Sequence, residues 1–179
     1  MITIRDMDSA CDRAGVEAID TSFETASIFD LVVTPRRIEL VERALAVPLV
    51  KRYPIADAFA FWASWDTGFV AEDDGIRGFA AVEYEPWHRR LVLWHLYVDR
   101  EHRGQGIARA LLERVEAHGR RLGARRAWVE TSNVNVPGIA AYARLGYTLC
   151  GADQTHYEAT DAEAESAIFL SKALAGSAT

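Results

Sequence analysis

The segment Arg103-Gly104-Gln105-Gly106-Ile107-Ala108 sets two glycines in a short turn between an apolar run and an amphipathic one. This arrangement suits a pyrophosphate. Glycine lets the backbone approach an anion, N–H groups ahead of a helix donate to it, and the helix dipole favours negative charge there. Arg103 can add a charge-assisted contact. Two other phosphate loops are excluded. There is no Gly-Lys-Ser/Thr, and Arg109 stands where the dinucleotide fingerprint needs a Gly or Ala. A glycine turn that only links a strand to a helix is the plain alternative.

Such a turn needs a strand before it and a helix after it. Residues 91–98 are almost continuously apolar, which predicts a central strand buried on both faces. Over 105–122 the apolar residues Ile107, Ala108, Leu111, Leu112, Val115 and Leu122 fall at helical spacing, with Arg109, Glu113, Glu116 and Arg120 opposite them. Gly123 fits the stop. Strands are predicted upstream at 68–71 and 76–84, with an Asp-Gly turn between them, and a further turn at 85–89. Downstream follow a strand at 126–131 and a short helix from an Asn135 cap, through Pro137, to Leu145 and Gly146. Strands at 147–150 and 167–171 close the series. The first third is less patterned. It reads as a strand at 2–5, a helix at 9–19, an irregular stretch at 20–25, a second short helix after Pro35, and a third helix or an aromatic loop at 56–65. The element order predicts an α/β (α+β) fold in one domain, 1–179.

The pattern Arg103-x-x-Gly106-x-Ala108, between an apolar strand and an amphipathic helix, resembles the acetyl-CoA motif of the GNAT family of N-acetyltransferases. Asn133-Val134-Asn135 and Tyr142-Ala143-Arg144-Leu145-Gly146-Tyr147 resemble its second signature. The likeness runs over roughly 68–170 and implies a central mixed, mostly antiparallel sheet of about seven strands flanked by helices. It implies an acetyl-CoA-binding core at 67–172 and an acceptor-site part at 1–66. A closer resemblance, to the streptothricin acetyltransferases, rests on Glu130-Thr131-x-Asn133-Val134-Asn135-Val136-Pro137 and on Ala141-Tyr142-x-Arg144-Leu145-Gly146-Tyr147-x-Leu149-Cys150-Gly151. Asp20-Thr21-Ser22-Phe23, Lys51-Arg52-Tyr53, Trp87 and Ala167-Ile168-Phe169-Leu170-Ser171 add to it. Those enzymes acetylate an amine of the β-lysine part of the antibiotic. One departure stands out: Trp94-His95 occupies the place where that group usually carries an acidic pair.

The resemblance implies residue roles. Leu96, Tyr97 and Val98 hold the pantetheine arm through backbone groups, with the Val98 N–H a candidate donor to the thioester oxygen. Residues Arg103, Gly104, Gln105, Gly106, Ile107 and Ala108 take the pyrophosphate. Asn133, Asn135 and Tyr142 contact the cofactor, and Tyr142 is the candidate general acid, since a phenol can donate to a thiolate. Asn135 also fits a helix cap, and Tyr142 a core aromatic. An amine attacks a thioester only when neutral, so a proton must leave. His95, which titrates near neutrality, and Glu83 on the neighbouring strand are the candidate bases. A hydrogen-bonded buried histidine and a solvated glutamate are their plain alternatives. Asp20, Phe23, Glu24, Trp87, Glu130 and Asp153 are the candidate acceptor-binding residues. Trp62 and Trp65 could line the same cleft or belong to the core.

The formal net charge is −6, which argues against a nucleic-acid partner and mildly favours a cationic substrate. No apolar run could cross a bilayer, and the first residues lack a signal peptide's features, so a cytoplasmic protein is expected. Cys11 and Cys150 form no metal or CxxC pattern and are expected free and packed. His88, His102, His118 and His156 lack metal spacing and are expected at the surface or in turns. The expected partner is a small-molecule amine, with no membrane, no metal, and a homodimer left open. Three functions fit: an antibiotic-modifying acetyltransferase, an acetyltransferase for another amine, polyamine or protein N-terminus, and a CoA-binding sensor without catalysis.

Overall fold

The computed structural model describes residues 1–60 and 63–174. Along them run β1 (Thr3–Asp6), α1 (Ser9–Glu17), β2 (Phe23–Thr34), β3 (Arg37–Lys51), β4 (Thr67–Glu72), β5 (Ile76–Glu85) and β6 (Arg90–Val98). Then come α2 (Ile107–Arg121), β7 (Arg126–Ser132), α3 (Val136–Arg144), β8 (Thr148–Asp153) and β9 (Ala167–Ala173). Seven strands form one mostly antiparallel sheet in the order β1-β4-β5-β6-β7-β9-β8, while β2 and β3 pair only with each other in a ribbon. This is the mixed α/β architecture that the sequence predicts.

The described residues divide into two compact units. The first holds Met1–Ser22, Arg52–Ala127 and the chain from Ala173. Its centre is β5, whose alternation serves two layers. Phe79 and Ala81 join Val16, Ile19, Ile55, Ala58 and Val70 in one core. Gly78 instead meets α2: a Cβ there would lie 3.0 Å from both Ile107 and Leu111, so a larger residue would push the helix off the sheet. The second unit holds Phe23–Lys51 and Trp128–Lys172. In it α3 packs on β2, and Trp128 stacks on Phe169 at 5.1 Å.

Several sequence expectations give way. No helix follows Pro35. Thr34 pairs with Arg37 across a two-residue turn, and a long antiparallel ribbon runs from it. The run Glu42-Arg43-Ala44-Leu45-Ala46 favours helix by propensity, but the surrounding β-branched residues pair across the ribbon and decide the outcome. The 20–25 stretch is irregular only up to Ser22. Among the described residues of this stretch a 3₁₀ turn runs over Ile55–Phe59, and the Trp65 indole N–H donates to the Ala58 carbonyl at 2.6 Å. Trp62 lies outside the described residues. Strand β6 is not buried on both faces throughout, because Trp94 is exposed. His118 is no plain surface residue: it packs edge-on to Phe69 at 5.5 Å, and burial, then Arg121, lowers its pKa. Cys11 and Cys150 are free but exposed rather than packed.

Candidate active site

Strand β6 carries a β-bulge. Ala81 opposes His95 and Val82 opposes Leu93, so Trp94 has no residue opposite it. The bulge turns the Trp94 indole outward, where its N–H donates to the Glu83 carboxylate at 3.0 Å. His95 turns toward the first unit's core. Its ring stacks with Tyr97 at 5.7 Å and with Phe79 at 6.2 Å. Burial lowers its pKa to about 4, and Nε2 has no hydrogen-bond partner among the described residues. A neutral imidazole with a vacant nitrogen therefore sits beside the bulge.

Beyond the bulge, Leu96 and Val98 pair with Ala80 and Gly78, and Tyr97 with Phe79. A 3₁₀ turn at Arg100–His102 ends the strand, and the glycine turn follows. Gly104 and Gly106 adopt φ of 77° and 85°, a region costly for other residues. Gly106 is the N-cap of α2, so the helix starts at Ile107 rather than at the expected Gln105. The first helical backbone bond runs from the Ala110 N–H to the Gly106 carbonyl at 3.0 Å, so the N–H groups ahead of Ala110 lie outside the ladder. A Cβ built on Gly104 or Gly106 would meet nothing within 4 Å. The turn is an open surface with unspent donors at a helix N-terminus.

Arg103 holds this turn in place. Its Nε donates to the Val98 carbonyl at 3.0 Å, Nη1 to Ser22 at 2.7 Å, and Nη2 to Asp20 at 3.1 Å. Burial lowers its pKa from an already high value. Asp20 is drawn into the same network. Its N–H donates to Asp99 at 3.0 Å, and its carboxylate accepts from the Ser22 N–H and from Arg52. Trp87 lies on the β5–β6 turn, 82% exposed and stacked on His88 at 3.7 Å.

In the second unit, Asn133 links three segments. Its side chain donates to the Phe29 carbonyl at 2.7 Å and accepts from the Ser166 N–H at 2.8 Å. Asn135 caps α3 by accepting from the Gly138 N–H at 3.0 Å, and it donates to Thr131 at 3.0 Å. Any Cβ at Gly138 would fall 2.3 Å from this cap, which explains the glycine. Tyr142, on α3, is buried and edge-on to Tyr147 at 5.5 Å. Glu130 is half-buried. Burial raises its pKa, and the Tyr157 hydroxyl donates to it. Phe23 is buried and pairs with Lys51, whose ammonium binds Glu165; Glu165 also accepts from Ser132. Glu24 is exposed, and Asp153 accepts from Thr155 N–H and hydroxyl, which lower its pKa. Sequence reasoning did not single out Ser132, Tyr157 and Glu165. Their partners lie far along the chain, and no local motif marks them.

Residues 38–147 match the family described as Acetyltransferase (GNAT) family. The chain belongs to the GNAT family of acetyltransferases. It is an N-acetyltransferase with acetyl-CoA as co-substrate. It is 36% identical over 174 residues to the streptothricin acetyltransferase of Streptomyces lavendulae, covering 89% of each chain. It is also 36% identical over 141 residues to the streptothricin acetyltransferase of Escherichia coli, covering 78% of each. The crystal structure of nourseothricin acetyltransferase superposes with a TM-score of 0.88 at 35% identity, covering 97% of this chain and 99% of that one. A Bacillus anthracis protein in complex with acetyl coenzyme A superposes with a TM-score of 0.79 at 21% identity, covering 97% and 99%, a likeness of fold. Among the described residues, no group of three or more His, Cys, Asp or Glu could hold a metal, and no helix is long and apolar enough to cross a membrane.

The turn's chemistry fits a CoA pyrophosphate: open glycines, a dipole end and free N–H groups. Arg103 differs from its simplest expectation, because three of its donors already serve backbone carbonyls.

Proposed function

We propose that this N-acetyltransferase acetylates a primary amine of streptothricin, at its β-lysine part, and so confers resistance to the antibiotic. The supporting observation is 36% identity over 89% of the chain to an enzyme named for streptothricin. Acetyl-CoA binds with its pyrophosphate on the turn Arg103, Gly104, Gln105, Gly106, Ile107 and Ala108, and its pantetheine arm along Leu96, Tyr97 and Val98. The ammonium of the acceptor loses a proton, the free amine attacks the thioester carbon, and the C–S bond breaks. His95 is neutral at pH 7 with Nε2 vacant, so it relays that proton rather than stores it. Glu83, tied to Trp94, sets the shape of the bulge. Tyr142 donates to the leaving thiolate. Asn135 acts through the α3 cap, and Asn133 through the segments it joins. Asp20 and Trp87 of the first unit and Phe23, Glu24, Glu130 and Asp153 of the second are the acceptor-binding residues of this reading, and the exposed Glu24 carboxylate attracts a cation. The setting is cytoplasmic, where CoA thioesters are supplied.

A second reading, another small cationic amine as acceptor, is favoured by Trp94-His95, which replaces an acidic pair usual in the streptothricin group. One assay separates the two. CoA release is followed with streptothricin, polyamines and a neutral amine, at low and high salt. Streptothricin is expected to give the highest kcat/KM, falling as salt screens the carboxylates. No streptothricin turnover by a preparation active on another amine would overturn the antibiotic reading.

A further inference from the structure

Asp99 and Arg103 cap the two ends of the 3₁₀ turn Arg100–His102, and both reach the same distant residue. The Asp20 N–H donates to the Asp99 carboxylate at 3.0 Å, and the Asp20 carbonyl accepts from Arg103 Nη2 at 3.1 Å. An acid thus holds the donor end of this residue and a base its carbonyl, from 79 and 83 positions away. Arg103 also reaches the Ser22 carbonyl at 2.7 Å, and Thr21 and Ser22 are buried. The Asp99 carboxylate is itself fixed. Its second oxygen meets His102 Nδ1 at 2.8 Å, and the Asp99 N–H donates to the Arg77 carbonyl on β5 at 2.9 Å. All these residues belong to the first unit.

The energetics argue for more than loop packing. Asp20 is half-buried, and water can serve the peptide groups of such a residue at little cost. The chain instead commits the Asp99 carboxylate, only 17% exposed, and burying a charge costs free energy unless it is well paired. What this clamp delivers is the direction of the Asp20 side chain. With N–H and carbonyl both held, the Cα–Cβ bond points one way. The Asp20 carboxylate accepts from the Ser22 N–H at 3.0 Å and from Arg52 at 2.9 Å. The Ser22 bonds first, and then Arg52, hold its pKa at about 2, so it is an anion throughout the neutral range. Arg103 runs straight into Gly104 and Gly106. The capped turn that ends on the two glycines therefore also sets this carboxylate.

We propose that Asp99 is a positioning residue for the amine substrate: it fixes, relative to the cofactor turn, the Asp20 carboxylate that receives the substrate's ammonium. This rests on the reading of Asp20 as a substrate-binding residue, and a double-mutant cycle separates the two. Steady-state kinetics of the full chain with streptothricin, or with spermidine if that reacts instead, supply the readout. Asp99→Ala should raise KM for the amine about tenfold, with kcat and the calorimetric acetyl-CoA dissociation constant each within about threefold of wild type. Asp99→Asn keeps an oxygen for the Asp20 N–H and should recover most of the loss. In an Asp20→Ala background, Asp99→Ala should raise KM no further, because no carboxylate is left to place. A residue that only stabilised the loop would add its effect in both backgrounds. If the Asp99→Ala protein does not unfold cooperatively, Asp99→Glu takes its place in the cycle with the same expectation, since it keeps the charge but moves it by one methylene. A wild-type KM in Asp20→Ala would remove Asp20 from the substrate site and the inference with it. A raised KM in Asp20→Ala beside a wild-type KM in Asp99→Ala would overturn the role of Asp99 alone. So would additive effects in the cycle, or a loss of acetyl-CoA affinity as large as the rise in KM.

Discussion

Two turns in this protein are built on different principles. The turn from Arg103 to Ala108 is fixed residue by residue. Gly104 and Gly106 hold φ values other residues resist, and one guanidinium reaches three carbonyls to pin the loop. The turn at Pro35 and Arg36 is fixed by what flanks it, a ladder of paired residues on either side. In the first, specification is concentrated and chemistry depends on it. In the second, it is spread over many weak pairings. One substitution should therefore destroy the first turn's function, while the second should absorb one with little loss.

The largest effect is expected at Gly106. A Cβ there has open space, so Gly106→Glu leaves packing intact and costs the fold only the strain of a left-handed backbone, about 1–2 kcal/mol. Its carboxylate, however, sits where the pyrophosphate charge belongs. Acetyl-CoA affinity measured by calorimetry should fall at least about a hundredfold, roughly 3 kcal/mol, in a protein that still unfolds cooperatively. Unchanged affinity in a folded variant would remove the turn from the cofactor site and erase the contrast.

That contrast also marks what could be read from the sequence. The glycine turn, its flanking strand and helix, and the Asn135 cap are local patterns, and they were legible. The bulge at Trp94 was not, because it exists only through the register of β6 against Ala81 and Val82. The ribbon was hidden by a helix-favouring run, since pairing between strands outweighs propensity. The pair of Lys51 and Glu165 joins residues 114 positions apart, beyond any motif. Arg103 was legible as a cation in the turn, but not as the clasp on Asp20 and Ser22, 83 and 81 positions away.

A middle-sized effect sharpens the contrast at the bulge. His95 has a folded-state pKa of about 4, through burial, against an ordinary value near 6.5. The fold favours the neutral ring. Above pH 6.5 both states are neutral and the residue adds no pH dependence. Between pH 6.5 and 4 the unfolded chain takes up a proton that the folded chain refuses, so stability falls as pH falls, by about 3 kcal/mol in full. His95→Phe keeps a ring beside Phe79 and Tyr97 and removes the titration. Its denaturant-derived stability should drop less than wild type between pH 7 and 4.5, the gap being about 2–3 kcal/mol. Equal pH slopes would mean that water reaches the ring and that His95 titrates normally.

The smallest effect is expected at the ribbon's own turn. Thr34 pairs with Arg37, which leaves Pro35 and Arg36 as the connecting residues. Proline suits the first of these because its ring presets φ near −65°. Alanine reaches the same φ without strain, and a proline nitrogen offers no hydrogen bond to lose. Pro35→Ala thus acts almost wholly on the unfolded chain, which gains conformational freedom worth about 0.4–1 kcal/mol. The denaturant midpoint should shift down by that free energy divided by the m-value, which itself stays unchanged. Acetyl-CoA affinity should stay as in wild type, because the glycine turn shares no residue with the ribbon. A loss above about 2 kcal/mol would exceed the entropic term. It would mean that the ribbon, like the cofactor turn, depends on a single residue at its bend, and the difference between the two turns would be one of degree.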